Sequence, residues 1–386
     1  MPRSRGRADG NRTSPPPVAG SCRARGWDDD AVNADDVIAS PAGVALLQAL
    51  EAEQPTTRTP FELPPSCDPV AVDTATAMTA ELSWADLLQR LISSAESIGG
   101  PWIGDAPLRL TRAFALAPQR RPIAAALATR FTEVIHEIDR DQQEWWLIPP
   151  IVGSPAQPLH GTGDVYCCGE FTWDGIWTVT SPPAEVHDDL IDAWEMFPGP
   201  ISRWRVPIRS EARVFEVHQP ADWAQLVTRF PRRGTRAHGG WELPGPNQHH
   251  GEVHELELVS CGIGARTQAE VFMPDWAAVA TEFDGVHLSW LGKLTCEGRV
   301  IDLPELGRNA VSLVRYWGSE RTTWLNDVFG TPSPAVAPAL SGRINGDTGI
   351  DDSAPQRIEA DMAYIAARLD RNPFTLAKPL PPESPR

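Results

Sequence analysis

The sequence lacks the features of membrane, secreted and disulfide-rich proteins. No stretch approaches the roughly 18 to 20 consecutive apolar residues that a membrane span needs, and the arginine-containing N-terminus has no apolar signal-peptide core. The 6 cysteines are too few for a disulfide scaffold in 386 residues. We therefore expect reduced thiols in a soluble, cytoplasmic protein without a membrane partner.

Basic charge is scarce, with 34 Lys and Arg against 51 Asp and Glu and a net charge of −17 at pH 7. Such a chain repels phosphate backbones, so nucleic acid is not an expected partner. Several N-terminal arginines form a basic tail, of the kind that is usually solvated. The adjacent thiols of Cys167 and Cys168 lie in a strand-like segment, where their side chains would point to opposite faces. This favours burial over redox chemistry or metal binding.

The short motifs of common enzyme classes are absent. There is no Walker loop, no GxGxxG between a strand and a helix, no GxSxG and no CxxC. The most metal-like group is His249, His250 and His254, since a helix would place the last two on one face. The surrounding Pro and Gly and the alternating stretch after His254 instead indicate a loop and a strand. We therefore expect no metal site.

Composition divides the chain into four segments. Residues 1–80 are rich in Pro and Ala and are predicted to be largely disordered, with at most one helix near Leu47. Residues 81–144 form a helical segment, and residues 145–330 form the main domain, which holds 12 of the 15 tryptophans. Residues 331–386 are predicted to be a Pro-rich linker with one amphipathic helix and a tail.

Periodicity predicts both helices and strands. One helix should begin after Ser83, which forms a capping box with Asp86, and another near Pro122. Short stretches with β-branched or aromatic content predict strands at 164–168, 176–180, 204–208, 213–217, 252–260, 286–291 and 311–316. The predicted fold class is α+β, with a Trp-rich mixed or antiparallel sheet, flanking helices and disordered termini.

Two segments of the main domain resemble each other. FEVHQPADWAQLVTRF and FMPDWAAVATEF each end a strand-like piece with Pro, then Asp-Trp, then apolar residues at matching offsets. Trp223 and Trp276 occupy equivalent positions, and the spacing is that of a short helix with one buried face. We interpret the pair as two strand-to-helix corners of the core.

Aromatic residues in polar surroundings are candidates for ligand contacts, because indole rings both fill cores and stack on ligands. Most tryptophans must serve the core. The candidates for a ligand-binding groove are those beside charged or hydroxyl residues: Trp173, Trp177, Trp204, His287 and Trp290.

Three segments carry a family resemblance, namely WRVPIRSEARVFEVHQPADWAQLV, PDWAAVATEFDGVHLSWLG and SERTTWL. Over about residues 145–330 the chain resembles a bacterial family of uncharacterised activity. It also resembles, more weakly, the ADP-ribosyltransferase fold, which clamps NAD with Arg or His, a hydroxyl residue and Glu. That resemblance implies Arg205, Ser289 and Glu320 as catalytic candidates, and His160-Gly161-Thr162 is similar to a strand of the poly-ADP-ribose polymerase branch.

Two functions follow as expectations. The first is a binding or interaction protein whose aromatic-lined groove takes a protein or a small molecule, without a cofactor. The alternative is an NAD-consuming transferase or toxin, in which Arg205, Ser289 and Glu320 must surround one nicotinamide riboside. Whether those three side chains converge discriminates between them.

Overall fold

The computed structural model describes most of the chain between residues 32 and 334. The described residues are 32–51, 67–99, 106–134, 138–148, 157–158, 176–180, 202–237, 240–244, 250–254, 268–314, 320–326, 328–331 and 333–334. Residues 33–386 cluster as one compact unit, and all that follows concerns that unit. The expectations for the basic tail, for 160–168, for Trp173 and for the C-terminal helix lie outside the described residues.

The N-terminal part of the unit is helical. Its helices are α1 (Ala34–Ile38), α2 (Pro41–Glu51), α3 (Pro69–Glu81), α4 (Trp84–Gly99), α5 (Ala106–Leu116), a 3-10 helix (Ala117–Arg120) and α6 (Arg121–Glu133). The predicted cap of α4 is confirmed, since Asp86 N donates to Ser83 Oγ at 3.1 Å. Leu87, Leu88 and Leu91 of α4 are fully buried, as its periodicity predicted. The helix expected near Pro122 is α6.

Among the described residues before Ser83 there are three helices, where the sequence predicted at most one near Leu47. Asn33 and Asp68 cap α1 and α3 by accepting backbone hydrogen bonds, and Pro occupies the first position of α3. The composition gave no indication of α3 because Ala and Thr dominate its sequence. The stability of α3 comes instead from packing on α6. The helical segment therefore begins at Ala34 rather than near residue 81. The boundaries at 144 and 330 stay predictions.

The rest of the described residues form short strands and three more helices. The strands are β1 (Gln143–Ile148), β2 (Gln157–Pro158), β3 (Ile176–Thr180), β4 (Ser202–Arg205), β5 (Val214–Val217), β6 (Pro231–Arg233), β7 (Thr235–Ala237), β8 (Gly240–Pro244), β9 (His250–His254), β10 (Glu270–Pro274), β11 (Gly285–Leu288), β12 (Val300–Asp302), β13 (Ala310–Leu313), β14 (Arg321–Trp324) and β15 (Ser333–Pro334). The helices are α7 (Pro220–Arg229), α8 (Trp276–Glu282) and α9 (Trp290–Cys296). No helix in the described part of the chain is both long and apolar enough to cross a membrane.

The strands form three sheets. The largest has the order β15-β4-β1-β3-β14-β11-β5, with β2 added to β1. Its pairs are antiparallel except β5 with β11, which run parallel. A second sheet has the order β12-β13-β10-β6, and a third has the order β7-β8-β9. The chain is therefore an α+β protein with mixed sheets, as its sequence predicted.

Several predicted strands differ from the observed ones at their ends. The stretch 286–291 leaves the sheet after Leu288, because Ser289 caps α9 and accepts a hydrogen bond from Gly292 N at 3.1 Å. The stretch 204–208 is strand only to Arg205, and Ile208 forms an isolated bridge with Phe329. The stretch 252–260 corresponds to β9, which begins earlier, and its residues after 254 lie outside the described part.

The main hydrophobic core joins the two similar corners. Trp223 on α7 and Trp276 on α8 are both buried, which confirms the core interpretation. Their ring centroids are 6.4 Å apart, and Trp223 Nε1 donates to Ser312 Oγ at 2.9 Å. Val217 of β5 and Leu288 of β11 are fully buried in the same core.

The opposite face of the same strands carries polar residues in one row. The register pairs Glu216 of β5 with His287 of β11, His287 with Thr322 of β14, and Thr322 with Thr178 of β3. Successive side chains of a strand point to opposite faces. Because β5 buries Val217 and β11 buries Leu288 in the core, Glu216 and His287 lie on the opposite face in this row. Sheet register thus creates a polar row across four strands.

Candidate functional site

Four titratable side chains meet at one end of this polar row: Glu216, His218, His287 and Glu320, here called the His–Glu cluster. Glu216 lies in β5, and His218 follows β5 on the same face. Glu320 immediately precedes β14, two positions before Thr322 and on the same face as it. Parallel pairing of β5 with β11 brings Glu216 beside His287. The cluster therefore depends on strand order, not on local sequence.

His287 stands between the two carboxylates. Its Nδ1 is 3.6 Å from Glu320 Oε1, and its Nε2 is 3.8 Å from Glu216 Oε2. His218 Nε2 is 3.9 Å from the same Glu216 oxygen. Thr322 Oγ1 lies 3.0 Å from His287 Nδ1 and fixes the ring orientation. One imidazole thus links two acidic groups across neighbouring strands.

Glu320 is held by the neighbouring strand β3. Thr180 donates to its carboxylate twice, from the backbone N at 3.1 Å and from Oγ1 at 2.6 Å. Gln143 Nε2 in turn donates to Thr180 Oγ1 at 2.9 Å, and Thr178 Oγ1 donates to Gln143 Oε1 at 2.5 Å. Trp324 Nε1 completes the chain with a 2.8 Å bond to Thr178 Oγ1. These bonds fix the Glu320 carboxyl group in one orientation.

Burial controls protonation in the cluster. It raises the pKa of Glu320 to about 8, although the hydrogen bonds from Thr180 oppose the rise. It also lowers the pKa of His287 to about 3, with a further contribution from the positive charge that His218 carries when protonated. At neutral pH Glu320 is therefore largely protonated, and His287 is a neutral imidazole. Such a pair can donate, accept or relay a proton.

The cluster reaches the surface through Glu216. The Glu216 side chain is 21% exposed, whereas those of His287 and Glu320 are 3% and 6% exposed. Ile138 N donates to Glu216 Oε1 at 3.2 Å, which leaves Oε2 directed toward the imidazoles. The exposed part of the cluster is therefore the Glu216 side chain outside its Oε2 atom, which is itself buried.

Of the catalytic candidates, only Glu320 belongs to the cluster. Arg205 is exposed on β4, three strands from β14, a distance of about 14 Å at the usual strand spacing. Its register partner on β1 is Glu144, which places Arg205 on the face opposite Gln143. Ser289 caps α9, and its hydroxyl also donates to Val217 O at 3.4 Å. The structure does not bring Arg205, Ser289 and Glu320 together.

The ligand-binding candidates are distributed differently. His287 is at the centre of the cluster, and Trp290 is a half-buried residue that begins α9, three positions later. Trp177 lies in β3 and Trp204 lies in β4, and the structure describes their backbone. Trp173 lies outside the described residues. The aromatic wall of the groove stays a prediction.

Sequence reasoning missed Glu216, His218, Gln143 and Thr180. A signal for two of them was present, since FEVH alternates apolar Phe215 and Val217 with polar Glu216 and His218. Because Phe215 and Val217 occupy the core face of this strand, Glu216 and His218 share its other face. Gln143 and Thr180 carry no such signal, because only tertiary pairing of β1 with β3 brings them together.

The cluster does not amount to a metal centre. Within the described ranges, no three His, Cys, Asp or Glu side chains are placed to share a metal ion. His250 and His254 lie at opposite ends of β9, so their Cα atoms are about 13 Å apart rather than one helical turn. His249 lies outside the described residues.

Comparison with known proteins gave no match to a family model, to a curated protein or to a solved structure. The resemblances to the bacterial family and to the ADP-ribosyltransferase fold are therefore not tested by relatives. Function has to be argued from the cluster itself.

Proposed function

We propose that this protein binds a small molecule at the His–Glu cluster, with Glu216 at the entrance. The observation that carries the proposal is His287, a buried imidazole held between Glu216 and Glu320 at 3.8 and 3.6 Å. Burying carboxyl and imidazole groups costs free energy that an apolar face would not. Groups with strongly shifted pKa values at such positions are typical of functional sites.

A small ligand is favoured over a protein partner. Large contiguous apolar patches on a surface mark sites of protein association. Among the described residues, Val70 is the large hydrophobic side chain that is exposed, at 71%. It lies on α3, in the helical part of the chain. Polar groups that converge behind a partly exposed carboxylate suit a ligand with hydrogen-bonding atoms. The aromatic-lined groove expected from the sequence remains part of this proposal.

The NAD-consuming transferase is the weaker candidate. Its glutamate must face the ribosyl cation as nicotinamide leaves, whereas the Glu320 carboxyl group accepts two hydrogen bonds from Thr180 and is buried. Arg205 and Ser289 lie elsewhere. NAD is therefore one of the compounds tested for binding in the screen described below.

The proposal includes the cytoplasmic location expected from the sequence. Cys67 and Cys296, the cysteines within the described ranges, are free thiols. Free thiols are the ordinary state of cysteine in a reducing compartment.

A thermal-shift screen of the full chain tests the proposal. The library contains amines, amino acids, carboxylates, sugars, nucleotides and NAD, and each compound is tested on wild type, His287→Asn and Glu216→Gln. The control is His250→Asn, which changes a histidine on β9, in a different sheet. We expect at least one compound to stabilise wild type and the control, since binding to the folded state raises stability by mass action. The same compound should not stabilise His287→Asn or Glu216→Gln.

Two outcomes would overturn the proposal. One is a library in which no compound stabilises the wild-type protein. The other is a compound whose stabilisation survives both substitutions in the cluster. Release of nicotinamide from NAD, lost in Glu320→Gln, would instead establish the transferase.

A further inference from the structure

The hydrogen bonds beside the His–Glu cluster form a chain that runs in one direction. Its first donor is Trp324 Nε1, which can only donate, and Thr178 Oγ1 accepts from it at 2.8 Å. The Thr178 hydroxyl gives its own hydrogen to Gln143 Oε1 at 2.5 Å. Gln143 Nε2 faces the backbone carbonyl of Asp139 at 2.9 Å. Because a carbonyl can only accept, the orientation of the Gln143 amide is fixed.

The same amide decides the role of the Thr180 hydroxyl. Gln143 Nε2 donates its second hydrogen to Thr180 Oγ1 at 2.9 Å. Thr180 Oγ1 keeps one hydrogen of its own, and Glu320 Oε1 lies 2.6 Å from that oxygen. An ionised carboxylate can only accept, so Thr180 donates to Glu320 whenever Glu320 is charged. Gln143 therefore holds a donor in place for the charged form of Glu320.

We propose that Gln143 is a positioning residue of the His–Glu cluster, which acts on Glu320 through the Thr180 hydroxyl. The inference rests on the proposed function for its role in the binding site and on the hydrogen bonds for its geometry. A hydrogen bond to the charged form of an acid favours ionisation, whereas burial opposes it. Thr180 thus lowers the pH at which the negative charge of Glu320 appears in the cluster, and Gln143 keeps Thr180 in position to do so.

The charged groups around Glu320 are the same in every variant that tests this. His287 faces Glu320 from β11, with Nδ1 3.6 Å from Oε1, and burial lowers the pKa of His287 to about 3. His287 is therefore neutral while Glu320 titrates. Glu216 faces the other ring nitrogen of His287, and His218 lies beside Glu216. From β3 the facing side chain is that of Thr180, which does not titrate. A change in Glu320 ionisation after substitution of Thr180 thus reports a hydrogen bond.

The test follows the ionisation of Glu320 in the full chain through its side-chain carboxyl ¹³C resonance, which is assigned by its absence in Glu320→Gln. Thr180→Val removes the hydroxyl and should raise the midpoint by about one pH unit or more, because a hydrogen bond to a charged group changes proton affinity about tenfold or more. Thr180→Ser keeps the hydroxyl and should titrate like wild type. Thr79→Val is the matched control, since it removes a buried hydroxyl from α3.

A second substitution tests whether Gln143 acts through Thr180. Gln143→Met should raise the midpoint by a smaller amount than Thr180→Val, because Thr180 keeps its hydroxyl but loses the donor that holds it. In the Thr180→Val background, Gln143→Met should raise the midpoint no further. This coupling separates a residue that acts through Thr180 from one that only packs beside it.

The outcomes separate this inference from the proposed function. An unchanged midpoint in Thr180→Val or in Gln143→Met would overturn the inference, as would an equal effect of Gln143→Met with and without the Thr180 hydroxyl. None of these measurements uses a ligand, so small-molecule binding would stay as proposed. A thermal-shift screen without a stabilising compound would instead defeat the proposed function and leave the positioning of Glu320 intact.

Discussion

Trp223 and Trp276 match in two similar segments of the sequence and meet in the core with ring centroids 6.4 Å apart, although Trp223 is the fourth residue of α7 and Trp276 the first of α8. Each is buried, at 0% and 4% exposure. The similarity of the two segments therefore has a structural cause, since both corners pack the same side chain against one shared centre. Stability, rather than ligand binding, should depend on this pair.

Trp223→Ala and Trp276→Ala should each lower the free energy of unfolding by roughly 3 to 5 kcal/mol, because removing a large buried side chain leaves a cavity. The rings are neighbours, so the double variant should not lose the sum of the two single losses. Chemical denaturation measures all three. Trp290→Ala, at a half-buried position, is the control and should lose less. A Trp223→Ala protein as stable as wild type would contradict the core assignment.

Ser289→Ala should lower the free energy of unfolding by about 1 kcal/mol, because Ser289 caps α9. Ser289→Thr keeps the hydroxyl and should recover most of the loss. Ligand-induced stabilisation, measured against each variant's own baseline, should be unchanged in both. If Ser289→Ala abolished ligand binding and left stability intact, the residue would belong to the site and not to the helix cap.

Two neighbouring arginines offer a matched test of ion-pair burial. Arg120 is fully buried, and its Nε and Nη2 both lie 2.6 Å from Glu51 Oε2. Arg120→Met should lower the free energy of unfolding by about 3 to 5 kcal/mol, because it strands a buried carboxylate. Adding Glu51→Leu should recover much of that loss. Arg121→Ala breaks an exposed pair with Asp35 and should match wild type in denaturation. A large loss in Arg121→Ala would contradict the burial argument.

The cluster predicts a specific dependence of stability on pH. The pKa of Glu320 is about 8 in the folded protein and near 4.5 in the unfolded chain. Between pH 4.5 and pH 8 the folded state therefore holds a proton that the unfolded state has released. Stability from this group therefore falls as pH rises from 4.5 to 8. For His287, with a pKa of about 3 when folded and 6.5 when unfolded, stability rises between those values. The two effects oppose each other between pH 4.5 and 6.5.

Of these two groups Glu320 alone contributes above pH 6.5, and it should make the free energy of unfolding decline toward pH 8 by up to about 1.4 kcal/mol per pH unit. Glu320→Gln should remove this decline and expose a rise from His287 between pH 4.5 and 6.5, whereas His287→Asn should extend the Glu320 decline down to about pH 4.5. Urea denaturation across pH 4 to 9 measures both slopes, with Glu211→Gln as the control. An identical decline in wild type and Glu320→Gln would show that Glu320 ionises normally.

Local signals in the sequence determined several elements. The Ser83 and Asp86 capping box, together with the spacing of Leu87 and Leu91, predicted α4 because a cap and one apolar face act over a single stretch of chain. The two Pro-Asp-Trp segments predicted α7 and α8 for the same reason. These features concern residues within about two helical turns of each other, so no knowledge of the rest of the fold was needed.

Elsewhere, tertiary structure decided against the local pattern. The apolar stretch after Val286 continued like a strand, yet Ser289 ends β11 and caps α9. Gly292 explains why the helix fits there, because a Cβ atom at this position would lie 2.3 Å from Val217 O. Helix α3 likewise depends on packing, since its Ala and Thr residues give little indication of a buried face.

The site was beyond the sequence because its members come from separate strands. Glu320 and His287 were candidates, but Arg205 and Ser289 were grouped with Glu320 only by their order in the chain. Strand order places β11 between β5 and β14, and register then sets His287 beside Glu216 and near Glu320. The sequence by itself determined the α+β class and the helices whose caps and apolar faces are local. Only tertiary structure decided which polar faces meet, because pairing between distant strands is set by the packing of the whole core.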